Sequence, residues 1–131
     1  MVWHAIFSQE PILRSKSASA GKKTLVVPDK DADGLDAGVI LVRTLSVLGL
    51  ARQLIEVHLL GKHATVHDET ERQAMGAKDP GYIIVVDQGS IEAPPIVDNP
   101  DTKSLIIDHH LSDKFPKDAT VCLSVLSPSM C

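Results

Sequence analysis

The chain has 131 residues, 44% of them hydrophobic and 23% charged, as suits one soluble globular domain with a moderate core. Aromatic residues make up 3%, so the core must be aliphatic and few rings are available for stacking on bases. The net charge of -4 argues against a broad nucleic-acid footprint, and no apolar run is long enough to span a membrane.

Residues 1–23 read as a lead-in, flexible or helical. Its basic, Ser-rich stretch "ILRSKSASAGKK" (Ile12 to Lys23) also fits a weak mitochondrial presequence. Residues 24–131 read as one α/β domain. "TLVV" (Thr24 to Val27) is a short β-branched and aliphatic run, as expected of a buried parallel strand. "PDKDADG" follows, with Asp29, Asp31 and Asp33 at every second position. A solvated loop would tolerate such a cluster. A divalent cation held among the carboxylates would explain it. "GLDAGVILVRTLSVLGL" (Gly34 to Leu50) then repeats apolar residues at helical spacing through Leu35, Val39, Val42 and Leu45. Asp33 is the expected N-cap and Gly49 the expected stop.

"LIEVHLL" (Leu54 to Leu60) reads as a second strand, and "DETERQAM" (Asp68 to Met75) as a helix with an acidic start. "YIIVVD" (Tyr82 to Asp87) and "SLIID" (Ser104 to Asp108) are apolar runs that each end in a carboxylate, and "TVCLSVL" (Thr120 to Leu126) is the expected last strand. "EAPPIVDNPD" and "HLSDKFPKD" read as loops by their Pro and Asp content. Strands alternating with helices predict a parallel β-sheet flanked by helices. Ligands of such sheets bind beyond the carboxyl ends of the strands. Asp29 to Asp33, Asp87, and Asp108 with His109 and His110 all fall at that edge. Carboxylates and neutral imidazoles together suit manganese, magnesium, zinc or iron.

Other readings fit less well. "DKDADG" matches the first half of an EF-hand loop, but the last loop position, which should be Glu, is Ile40. A haloacid-dehalogenase-like phosphatase would place an Asp after its first strand and has no need of "DHH". His63 and His67 have the spacing of a helical zinc pair, but Ala64 stands where a general-base Glu would follow His63. They read as loop residues, with Lys62 or His63 within possible reach of a substrate phosphate. Cys122 and Cys131 form no disulfide framework. That fits a reducing intracellular compartment, cytoplasmic or nuclear, with Cys122 a small core residue.

"PDKDADG", "VVDQGS" and "IIDHH" resemble, in order and rough spacing, the first three motifs of the DHH phosphoesterase superfamily, and "DKDADG" is closest to its RecJ-like branch. The resemblance spans about Thr24 to His110. It implies a parallel-sheet domain and hydrolysis of phosphodiester or phosphoanhydride bonds with manganese or magnesium, two ions in the complete enzyme. It implies substrates such as a phosphorylated small molecule, an oligonucleotide or single-stranded nucleic acid. Asp31 and Asp33 match metal-ligating aspartates, Asp87 the aspartate bridging both ions, and His109 the ligating histidine. Asp29 matches the RecJ-like pattern. Other branches have a His where Val27 stands here. His110 matches the histidine beside the scissile phosphate, and Asp108 a residue that orients its neighbours. A downstream motif with a further ligating Asp, and a substrate-gripping second domain, are not matched before Cys131. Asp113 and Asp118 fall too early. The expectation is therefore a phosphoesterase domain incomplete at its C-terminus, the alternative an inactive metal- or nucleotide-binding domain or fragment. Extended backbone would send His109 and His110 to opposite sides.

Overall fold

The computed structural model describes residues 22–123. Most of the lead-in expected over 1–23, the end of the last expected strand, and Cys131 fall outside them. Five parallel strands form one sheet: β1 (Thr24–Pro28), β2 (Ile55–Val57), β3 (Tyr82–Val86), β4 (Lys103–Asp108) and β5 (Ala119–Leu123). Two helices, α1 (Ala32–Val47) and α2 (Glu69–Ala77), connect β1 to β2 and β2 to β3. The architecture is the parallel α/β sheet that the sequence predicts.

The central strands β1 and β3 are buried along their whole length because both faces of the sheet are covered. Their side chains alternate. Leu25, Val27, Ile83, Val85 and Ile106 pack on one face with Met75 of α2, and with Leu60, Val66, Ile96 and Val97 from loops. Val26, Ile84, Val86, Leu105 and Ile107 pack on the other with Leu41 and Leu45 of α1. Cys122 is buried, as expected, but it is disulfide-bonded and not a free thiol. The crossover from β3 to β4 contains no helix. Its Ile96 and Val97 fill the place of one, and the buried Arg72 of α2 fixes it. Arg72 donates to the Pro95 carbonyl (3.0 Å) and to Asp98 (3.1 Å).

Two differences from the expected boundaries bear on the site. The N-cap of α1 is Asp31, not Asp33, because the Asp31 carboxylate accepts the Gly34 N–H at 2.8 Å. Strand β2 stops at Val57. The His58 N–H still reaches the Val26 carbonyl (2.9 Å), but its side chain turns to Glu71 and the chain leaves the sheet.

The strand order is β2-β1-β3-β4-β5. The chain steps outward from β1 to β2, then returns past β1 to β3. The crevice where the winding direction switches, between the carboxyl ends of β1 and β3, is the usual ligand position in such sheets.

Helix α1 approaches that crevice closely. A Cβ on Gly34 would lie 2.6 Å from the Asp29 carbonyl oxygen and 2.8 Å from its Cβ, whereas one on Gly38 would meet the Pro28 ring at 3.0 Å. Backbone cannot yield as a side-chain end can. Gly34→Ala should therefore destabilise the chain by about 1–3 kcal/mol, the usual scale of overpacking. Gly38→Ala should lose less. Urea unfolding of both variants measures the order, and equal stability of Gly34→Ala and the parent chain would refute the close approach.

Candidate metal centre

The register of the sheet assembles the centre. Pro28 pairs with Val86, and Val86 with Ile107. The next residues, Asp29, Asp87 and Asp108, therefore stand side by side on strands roughly 4.8 Å apart. Two backbone bonds extend the ladder one step further. The Asp29 N–H donates to Val86 (3.0 Å) and the Asp87 N–H to Ile107 (2.8 Å).

Asp87 is the centre of the arrangement. Its backbone is left-handed, φ 66°, a conformation Asp tolerates better than most residues. The residue is 7% exposed. Oδ1 meets His109 Nε2 at 2.7 Å, while buried Oδ2 has no hydrogen-bond partner. Burial raises the Asp87 pKa, the nearby His109 opposes this, and Asp31 adds to it. A cation would satisfy the orphaned oxygen and relieve the repulsion.

Two sets of ligand atoms converge on this residue. Asp29, Asp31 and Asp87 form one, and Asp87, His109 and His110 the other. Within each set the atoms lie within 4.8 Å of one another. A hard-oxygen set joined through one carboxylate to an oxygen and nitrogen set fits manganese or magnesium chemistry. Asp33 belongs to neither set. It lies exposed in the first turn of α1.

The two histidines do not diverge. Their ring centroids are 4.4 Å apart, against the expectation of opposite sides, because the extended backbone ends at Asp108. They differ instead in their partners. His110 Nδ1 meets Asp108 Oδ1 at 2.5 Å, and the His110 N–H also donates to that oxygen at 3.1 Å. This leaves Nε2 as the working nitrogen of His110. Burial pushes the Asp108 carboxyl up. The Ser90 hydroxyl, which lies against it short of full hydrogen-bond geometry, and His110 outweigh that and hold it low. The bond to Asp108 in turn raises the His110 pKa.

His63 and His67 lie in a loop, as expected, and are not helical. From the sequence His67 reads only as a loop residue. Its Nε2 meets the Gly89 carbonyl at 3.1 Å, two residues beyond Asp87. Nothing in the sequence pattern marks Lys30 either. Its Nζ leaves the acidic cluster to donate to the carbonyls of Gly61 (3.0 Å) and Ala64 (2.8 Å). A cavity of about 570 Å³ lies at the opposite sheet edge, with Lys103, Lys117, Asp98 and Asp118 among its lining residues. It is remote from this chemistry.

A carboxylate and imidazole cluster at the switch point of a parallel sheet marks an α/β domain with a candidate metal centre. The family model described as the DHH family, N-terminal domain, matches residues 23–131. The chain belongs to the DHH family, whose members are phosphoesterase-like and metal-dependent. Searches of curated proteins and of solved structures found no match. Among the described residues, no helix is long and apolar enough to cross a membrane.

The Asp108–His110 pair gives a pH prediction. His110 is raised from 6.5 and Asp108 lowered from 3.8. Their contribution to stability is complete between those ordinary values. It is lost as pH falls through the depressed Asp108 pKa, and as pH rises through the elevated His110 pKa. In the metal-free chain the His110 ring proton should titrate above 6.5, and Asp108→Asn should bring the midpoint down. An NMR titration measures both, and a midpoint indifferent to Asp108→Asn would refute the pairing.

Proposed function

We propose that the chain is a phosphoesterase domain of the RecJ-like branch, which hydrolyses a phosphodiester or phosphoanhydride bond with manganese, or magnesium in its place. The observation that carries this reading is Asp87, buried, shared by two ligand sets and left with an unpartnered oxygen. The spacing of Asp29, Asp31 and Asp33 supports the branch.

Asp29, Asp31, Asp87 and His109 would hold the metal, with Asp33 an outlying member of the acidic cluster. Two divalent cations bound there would supply a water of lowered pKa and neutralise charge on the phosphoryl oxygens. The protein's own part is positioning. Asp87 holds the two ligand sets together, and its neighbour in register, Asp108, orients His110. His110, protonated more readily than an ordinary imidazole, offers an Nε2–H to a phosphoryl or leaving oxygen at the exposed mouth. The substrate class is a phosphorylated small molecule, a short oligonucleotide or a single strand. The low aromatic content of 3% and the burial of Tyr82 in the sheet disfavour stacking of bases, and with a net charge of -4 the phosphate would be held through the metal.

Manganese should raise the melting temperature, since clustered carboxylates repel one another without a cation. Asp87→Asn should remove most of that shift. Asp31→Asn should remove more than Asp33→Asn, because only Asp31 belongs to a converging set. Thermal melts with manganese and with chelator measure this, and an undiminished shift in Asp87→Asn would refute the centre. Hydrolysis of bis-p-nitrophenyl phosphate, dependent on manganese and lost in Asp87→Asn, tests the activity. Manganese binding without hydrolysis would identify a binding domain instead.

A further inference from the structure

The connection between β2 and α2, residues 58–68, has no helix or strand, yet it is bonded to both acidic turns. At one end, Lys30, between Asp29 and Asp31, donates to Gly61 and Ala64 at 3.0 and 2.8 Å. At the other, His67 donates to the Gly89 carbonyl at 3.1 Å. A carbonyl only accepts, so His67 Nε2 carries the hydrogen. His67 Nδ1 is buried without a partner. Adding a proton there would leave a buried, unpaired donor, so the neutral ring is the form that fits. Burial lowers the His67 pKa accordingly.

The connection is itself anchored to the body of the domain. Leu60 and Val66 pack in the core. Glu71 of α2 accepts from the Gly61 N–H and from His58 Nε2, both at 2.7 Å. Lys78 donates to His58 Nδ1 at 3.2 Å. A segment fixed to α2 on one side and to two ligand-bearing turns on the other can hold those turns at a set separation.

We propose that residues 58–68 form a strap that sets the spacing between the Asp29–Asp31 turn and the Asp87–Ser90 turn, with Lys30 and His67 as its positioning residues. The consequence for metal binding rests on the centre proposed above. The strap itself does not, and it can be read in the metal-free chain.

Lys30→Met separates a structural role from an electrostatic one. Removing a positive charge beside carboxylates should tighten a cation by Coulomb attraction alone. Loosening the strap should weaken it. His67→Gln retains an N–H that can reach Gly89, and His67→Ala does not. The experiment pairs two measurements on the full chain. Hydrogen exchange in chelator reads the amides of Asp29 and Asp87, against those of Leu25 and Ile83 within the strands. Calorimetric titration reads manganese affinity. His67→Ala and Lys30→Met should speed exchange at Asp29 and Asp87 about ten-fold with the strand amides unchanged. Both should also weaken manganese about ten-fold, the lower end of what loss of a ligand-orienting partner costs. His67→Gln should restore both readings. Unchanged exchange at Asp29 and Asp87 in both variants would overturn the strap, as would equal acceleration at every amide. Tighter manganese binding by Lys30→Met would overturn it too. Absence of manganese binding by the parent chain would overturn the metal centre alone, and the exchange result would then decide the strap.

Discussion

Parallel register is the constraint on which the site depends. Once Pro28, Val86 and Ile107 lie level, the three following residues must also lie level, and all three are aspartates. Adjacent strands in this register place them side by side. A slip of one residue would also exchange the two apolar faces, placing Leu25 and Val27 where Val26 now packs. The core therefore enforces the register, and the register enforces the clustering of charge. The apolar β-strands hold together carboxylates that repel one another.

Close approach brings α1 into the same constraint. Gly34 and Gly38 let the helix lie against Asp29 and Pro28, so its N-terminus points toward the acidic turn. The positive end of the helix dipole eases the charge of Asp31, which also caps the helix. Asp31 thus serves the fold through one oxygen, which accepts from Gly34, and stands in a ligand set with Asp29 and Asp87.

The strands, both helices and the acidic edge were legible because apolar runs ending in Asp are local features. The convergence of Asp29, Asp87 and Asp108 followed from fold class alone, since any parallel sheet puts strand ends at one edge. What stayed hidden depended on contacts distant in sequence. Arg72 reaches Pro95, and Ile96 and Val97 are buried in a Pro-rich stretch that reads as exposed loop. His67 reaches Gly89 across 22 residues. The side-by-side histidines are hidden for a local reason. Strand alternation ends at Asp108, and His109 and His110 lie beyond it.

The charges of "DKDAD" separate at a comparable strand end. Strand β1 stops at Pro28 and the chain bends at Lys30 and Asp31. Asp31, at φ -77° and ψ 172°, caps α1. Asp29 and Asp31 come together beside Asp87, while Lys30 reaches instead to the carbonyls of Gly61 and Ala64. An ammonium on the acidic side would have neutralised the cluster from within. Helix geometry begins at Ala32, so Asp33 leaves the row that its spacing suggests it should join. A period of two in the sequence extends only as far as the backbone keeps that period.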